Sequence, residues 1–136
     1  MSLEQRRFPR IDRITPEQIL RLSSDQSPKQ NIILTRNVSA SGVCFTTGEN
    51  LVPGTAFLIY LNPMSLPELG GHPETWVRSG DYYLARVVRA KRLQADFEIG
   101  AAFVNKAVCQ ADELLHFTEL MNARMLHSMT GDSVQN

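Results

Sequence analysis

Residues 31–47 read NIILTRNVSASGVCFTT. Residues 31–36 are a β-branched run of strand type that passes into the polar stretch 37–42, NVSASG. From Gly42 the chain alternates again, with Val43, Phe45 and Thr47 on one face, as a half-buried strand does. Two strands meeting at a polar corner set the scale on which the rest of the chain is read.

Upstream, SSDQSPKQ (23–30) is turn chemistry throughout, and residues 14–22 carry apolar residues around Pro16, a predicted first strand. Residues 1–13 are polar and basic, with Arg6, Arg7, Arg10 and Arg13 against Glu4 and Asp12. Pro9 removes a backbone donor and disfavours helix at Phe8, so this segment is predicted to be an extended, flexible arm. Downstream, 49–54 (ENLVPG) is a turn, and 56–61 (AFLIYL) a short, strongly apolar strand. Residues 62–80 hold three prolines, three glycines and Trp76 without a period, which predicts a long functional loop. Residues 81–93, DYYLARVVRAKRL, return to strand. Straight alternation puts Tyr83, Ala85, Val87, Arg89 and Lys91 on one face, and Tyr82, Leu84, Arg86, Val88 and Ala90 on the other. Residues 97–104, FEIGAAFV, form the last strand. Five or six short strands with regular turn signals predict a sandwich or a small barrel.

The period then changes. Over about 107–129, Ala111, Leu114, Leu115, Met121 and Met125 recur at steps that mark an amphipathic helix. Phe117, Leu120 and Leu126 widen its apolar face, and Gly131 is the expected stop. The helix is expected to close one end of the barrel and to offer surplus surface to a partner. The expected organisation is an arm over 1–13, one domain over 14–129 and a tail over 130–136.

Composition narrows the function. The 136 residues suit one domain with a core of its own. Fourteen basic and fourteen acidic residues cancel, so no whole-molecule field favours a nucleic acid. Eleven of the fourteen cations are arginine, which suits planar recognition of phosphate and guanine. Cys44 and Cys109 have no metal-ligand spacing. There is no secretory h-region and no apolar run near the ~20 residues a membrane helix needs. A cytoplasmic protein without a cofactor or membrane insertion is expected. His72, His116 and His127 have no nucleophile or carboxylate partners in pattern, so no enzyme is expected.

Two constellations remain. RRFPR (6–10) sets Arg6 and Arg10 four apart in the arm, where two guanidinium forks can converge on one small polyanion. In 37–42, Asn37 and Ser39 offer an amide and a hydroxyl at a strand corner, and Gly42 lets the backbone turn or come close to a ligand without a Cβ in the way. R-x-x-x-R followed about 30 residues later by [D/N]-x-S-x-x-G between apolar strands resembles the PilZ domain family. Pro53-Gly54-Thr55 before a strand and GAAF at 100–103 are similar to later steps of that family, as is the terminal helix.

The resemblance implies a mainly β fold, a six-stranded antiparallel β-barrel with a C-terminal α-helix. It also implies a bacterial receptor for the second messenger cyclic di-GMP. Arg6 and Arg10, with Arg7 beside them, would clamp the dinucleotide, while Asn37, Ser39 and Gly42 would seat a base. Gln5 stands where some relatives carry another arginine that favours an intercalated ligand dimer, which implies one ligand per chain. Signal transmission would run through ordering of the arm and a protein effector bound by the helix or the 62–80 loop. The alternatives are a PilZ-like adaptor that binds no nucleotide and a single-stranded nucleic-acid barrel. Neutral charge and the scarcity of spaced strand aromatics weigh against the second.

Overall fold

In the computed structural model, β1 (Ile11–Leu22) and β2 (Pro28–Ser39) form a long antiparallel hairpin. The structure describes residues 11–22, 27–39, 41–61 and 73–134, with side chains outside 11–17, 73 and 126–134. Arg6, Arg7 and Arg10 therefore lie outside the described residues. Strands β3 (Gly42–Thr47), β4 (Ala56–Tyr60), β5 (Arg78–Ser79), β6 (Tyr82–Arg92) and β7 (Phe97–Phe103) come next, then helix α1 (Ala111–Val134). The sheet runs β4-β1-β2-β3-β7-β6, and β6 pairs back onto β4, so the six strands close into an antiparallel barrel. The two-residue β5 adds to β6 outside that ring. Closure leaves the ring without a free edge.

The interior is apolar. Ile19, Ile33, Val38, Val43, Phe45, Phe57, Ile59, Tyr83, Val87, Ile99 and Phe103 form one cluster. Phe45 and Phe57 meet edge to face at 5.7 Å, the geometry that ring quadrupoles favour. A second cluster lies on the outer side of the wall, where Leu20, Leu58 and Leu84 receive Leu120 of α1, with Phe117 and Met121 beside it. The helix thus lies against the outside of β1, β4 and β6 and does not close a barrel end. Its buried contact is Leu120, while Leu114, Leu115 and Met125 of the expected stripe are exposed. Helical spacing alone does not choose between neighbouring stripes; the leucines facing out from the wall do.

Three boundaries move as well. β1 begins at Ile11, three residues before the stretch read as strand. The helix starts at Ala111, after a 3-10 turn over Lys106–Val108 capped by Asn105, whose Oδ1 accepts from the Ala107 amide at 2.7 Å. It continues through Gly131 to Val134. The final part of the 62–80 stretch is also ordered rather than loop: Pro73–Thr75 is a 3-10 turn, and Trp76 bridges to Asn105. The indole packs against the interior cluster, 5.9 Å from the Phe103 ring centroid.

Two β-bulges decide which side chains reach the outer face. One interrupts the β2–β3 ladder between Thr35 and Asn37, the other the β6–β7 ladder between Val87 and Arg89. A bulge inserts an unpaired residue and so reverses which side of the sheet later residues face. Ile33 and Thr35 point inward, but past the bulge Val38 takes the inward position. Tyr83, Ala85 and Val87 point inward, but past the second bulge the inner neighbour of Ile99 is Ala90, not Arg89. Arg86 and Arg89, expected on opposite faces, therefore share the outer one.

At the barrel end near the β1–β2 turn, Glu49 gathers Arg21 Nη2 at 3.1 Å, Lys29 Nζ at 3.0 Å and the Asn31 amide. The Asn31 hydrogen bond first, then Lys29, holds its carboxyl at about 2, with Arg21 adding in the same direction against the opposing effect of burial. A carboxyl depressed on folding contributes stability that is complete above its ordinary value of 4.5 and is lost as pH falls toward 2. Solvent reaches the Glu49 side chain, 40% exposed, so the contribution is about 1 kcal/mol. Denaturant titrations at pH 6 and pH 2.5 should show Glu49→Gln less stable than the wild type at the first, with the gap narrowed at the second. An equal gap at both would remove Glu49 as the acid-sensitive group.

Candidate functional site

The registers line up two rows across the outer face of β2, β3, β7 and β6. One runs Asn37–Cys44–Gly100–Arg89, the other Ser39–Gly42–Ala102–Arg86. The middle of both rows is small: Gly42, Cys44, Gly100 and Ala102. Polar groups of β2 stand at one end and arginines of β6 at the other. The result is a shallow concavity of about 180 Å³, bordered by Asn37, Ser39, Gly42, Cys44, Gly100 and Arg89. Each bulge is needed: without the first, Asn37 and Ser39 would enter the core, and without the second, Arg89 would.

Asn37 and Ser39 were expected at a strand corner and instead lie within β2. Asn37 is half-buried and borders the concavity, where its carboxamide offers both a donor and an acceptor. The Ser39 hydroxyl lies 3.3 Å from the Ser41 hydroxyl and accepts from the Ser41 amide at 3.3 Å, an arrangement that fixes its direction. Gly42 has a structural task that its place in a motif did not reveal. A Cβ there would stand 2.2 Å from the Ala101 carbonyl oxygen. Among the described residues the positive-φ glycines are Gly54 and Gly80, so close approach of β3 to β7, not turning, requires glycine at 42.

The three motif residues are thus brought together on one face. Cys44, Gly100 and Arg89 share it and were not expected there. One signal for Arg89 was present in the sequence: straight alternation placed a guanidinium in line with Tyr83, Ala85 and Val87, a burial too costly to stand. Arg86 is committed elsewhere, to Glu113 at the start of α1. The arm's attachment is also defined. Ile11 pairs with Val38, and Asp12 with Asn37, so β1 begins beside the motif residues of β2.

A second cleft, about 280 Å³, lies under α1 where Arg124 stands over the Tyr82 ring at 4.1 Å. It shares none of the motif residues. The Cys109 thiol is pushed up by burial and then by Glu113 and Asp112, which suppresses the thiolate that nucleophilic chemistry needs. Among the described residues no cluster of His, Cys, Asp and Glu is placed to hold a metal, and no helix is long and apolar enough to cross a membrane.

No family model and no curated protein matches the sequence. Among solved structures, the chain is similar to the PilZ domain with c-di-GMP of YcgR from Escherichia coli, at a TM-score of 0.51 over 95% of this chain and 98% of that one. The fold is that of a PilZ domain. At 12% identity the likeness is one of fold, and the PilZ-like barrel here is built from a nearly unrelated set of side chains. The small-residue floor, the two bulges and the polar pair of β2 are properties of this chain's own registers.

Proposed function

We propose that this PilZ-like barrel is a receptor for cyclic di-GMP, and not an enzyme. Asn37, Ser39 and Gly42 would seat one guanine, and Arg6, Arg7 and Arg10 would close over the dinucleotide. The observation that carries the reading is the pairing of Ile11 with Val38, which roots the cationic arm between the two polar residues of the motif. Arg6 is five residues from Ile11, a reach of up to about 17 Å for extended chain, enough to cross the concavity. Size supports a role for the arm. A cavity of 180 Å³ is below the roughly 300–1,000 Å³ that encloses a drug-sized ligand, so the barrel face alone would hold part of a dinucleotide.

Guanine presents O6 and N7 as two adjacent acceptors for a guanidinium fork, whereas adenine sets a donor amine beside N7. The arm would therefore prefer guanine. On this mechanism the arm orders around the ligand, and the changed surface is read by a protein effector in the cytoplasm. Exposed Leu114, Leu115 and Met125 on α1 favour the helix as the docking element. The described end of the 62–80 stretch is less suited, since Trp76 packs against the core.

Thermal unfolding with cyclic di-GMP, cyclic di-AMP and a short oligonucleotide tests the reading. At a hundredfold excess over Kd, binding adds about 2.7 kcal/mol, a rise on the order of 10 °C for a domain of this size. Cyclic di-GMP alone should produce it. No shift with any of the three would favour the non-binding adaptor, and a shift with the oligonucleotide would favour a nucleic-acid barrel.

A further inference from the structure

Resting on that reading, we propose that Arg89 is a further ligand-contacting residue, whose guanidinium provides a stacking surface for one purine of the cyclic dinucleotide. The side chain does not extend away from the barrel. A Cβ built on Gly100 would stand 2.8 Å from Arg89 Nε, 3.0 Å from Cγ and 3.1 Å from Cζ. From Cγ to Cζ, then, the arginine lies across the space that glycine leaves open, folded over the floor of the concavity. Its end is held loosely by Glu98, Nη1 to Oε1 at 3.9 Å, beyond hydrogen-bond range. The side chain is 54% exposed. A planar guanidinium, half-exposed over this floor, is suited to stacking on a base, as an ammonium is not.

Spacing assigns the partner. Asn37 and Arg89 end the same row, three strand separations apart, about 14 Å. Because Arg89 folds inward over Gly100, the gap to Asn37 shrinks to about two separations, roughly 10 Å. That gap holds one flat purine, with the Asn37 amide at its edge and the guanidinium against its face. Arg86, Arg92 and Arg124 are committed differently: Arg86 to Glu113, Arg92 over the Phe97 ring, and Arg124 over Tyr82 beneath the helix.

Calorimetry of cyclic di-GMP binding to the full chain tests this with three variants. Arg89→Ala should weaken binding about tenfold or more. Arg89→Lys keeps the charge without the plane and should remain as weak. Gly100→Ala adds a Cβ whose three nearest neighbours are all atoms of the flexible Arg89 side chain, so the barrel should fold as before while affinity falls to a similar degree. The unfolding midpoints of all three without ligand should match the wild type, separating a lost contact from a weakened fold. Wild-type affinity in Arg89→Ala and Gly100→Ala would overturn the assignment and leave the receptor reading standing. Full affinity in Arg89→Lys would overturn stacking in favour of charge alone. Absence of binding to the wild-type chain would remove the receptor reading and this residue's role together.

Discussion

Replacing Arg6 and Arg10 together by alanine is expected to raise the Kd for cyclic di-GMP by more than a hundredfold, and either alone by well over tenfold. Micromolar affinity requires about 8 kcal/mol net. Ordering five arm residues costs on the order of 1–2 kcal/mol each for backbone, so the gross attraction must be well above that net value. The barrel face contributes one amide, one hydroxyl, the Arg89 guanidinium and a shallow floor, which are too few for the task. Bidentate arginine–guanine pairs add about 1–3 kcal/mol each, and charge-assisted bonds to phosphate act on a similar scale. The arm arginines must therefore carry much of the balance. Both residues precede β1, which starts at Ile11, so the unliganded variants should unfold at the wild-type midpoint. Calorimetry giving wild-type affinity in either single variant would take that arginine out of the mechanism. A titration of the wild type reaching two ligands per chain would instead correct the single-ligand expectation drawn from Gln5.

Most of the fold could be read from alternation, because the strands that alternate are the ones whose inner faces fill the barrel. Val43 and Phe45 of β3, and Tyr83, Ala85 and Val87 of β6, are all buried as their spacing requires. Alternation fails where the backbone takes an extra residue. Neither Arg36 nor Val88, the residues at the two bulges, is unusual for a strand, so the count runs on and assigns the residues beyond them to the wrong side. What betrays the error is chemistry, not pattern. Carried straight through, the count buries Asn37, Ser39 and Arg89 and exposes Val38, and each of those placements is unfavourable. The same cost argument accounts for the clustering of polar groups on one outer face, since both bulges turn polar side chains outward next to the small-residue floor of β3 and β7. The helix fell short for a different reason. Its period was clear, but the docking stripe depends on Leu20, Leu58 and Leu84 facing out of a wall that had yet to be assembled.

Gly42 separates the two parts of the site. In the motif it reads as a position where the backbone turns or comes close to a ligand, and the structure shows another neighbour: the Ala101 carbonyl oxygen, 2.2 Å from where a Cβ would stand. That atom is backbone, held in the β3–β7 ladder where Gly42 pairs with Ala102 and the Phe103 amide donates to the Ser41 carbonyl at 3.0 Å. It cannot rotate aside as a side-chain end would. Relief requires β3 to move away from β7, breaking ladder bonds at the centre of the concavity and loosening Val43 and Ala101 beneath. Gly42→Ala should therefore cost about 3–5 kcal/mol, a fall in unfolding midpoint on the order of 15 °C, and ligand affinity should drop with it. Gly48→Ala is the matched control, because a Cβ there meets nothing within 4 Å and stability should hold or rise slightly. Differential scanning calorimetry of the two variants decides the matter. If Gly42→Ala melts with the wild type and loses only affinity, the glycine serves the ligand and not the ladder, and the close approach of β3 to β7 is not what fixes this residue.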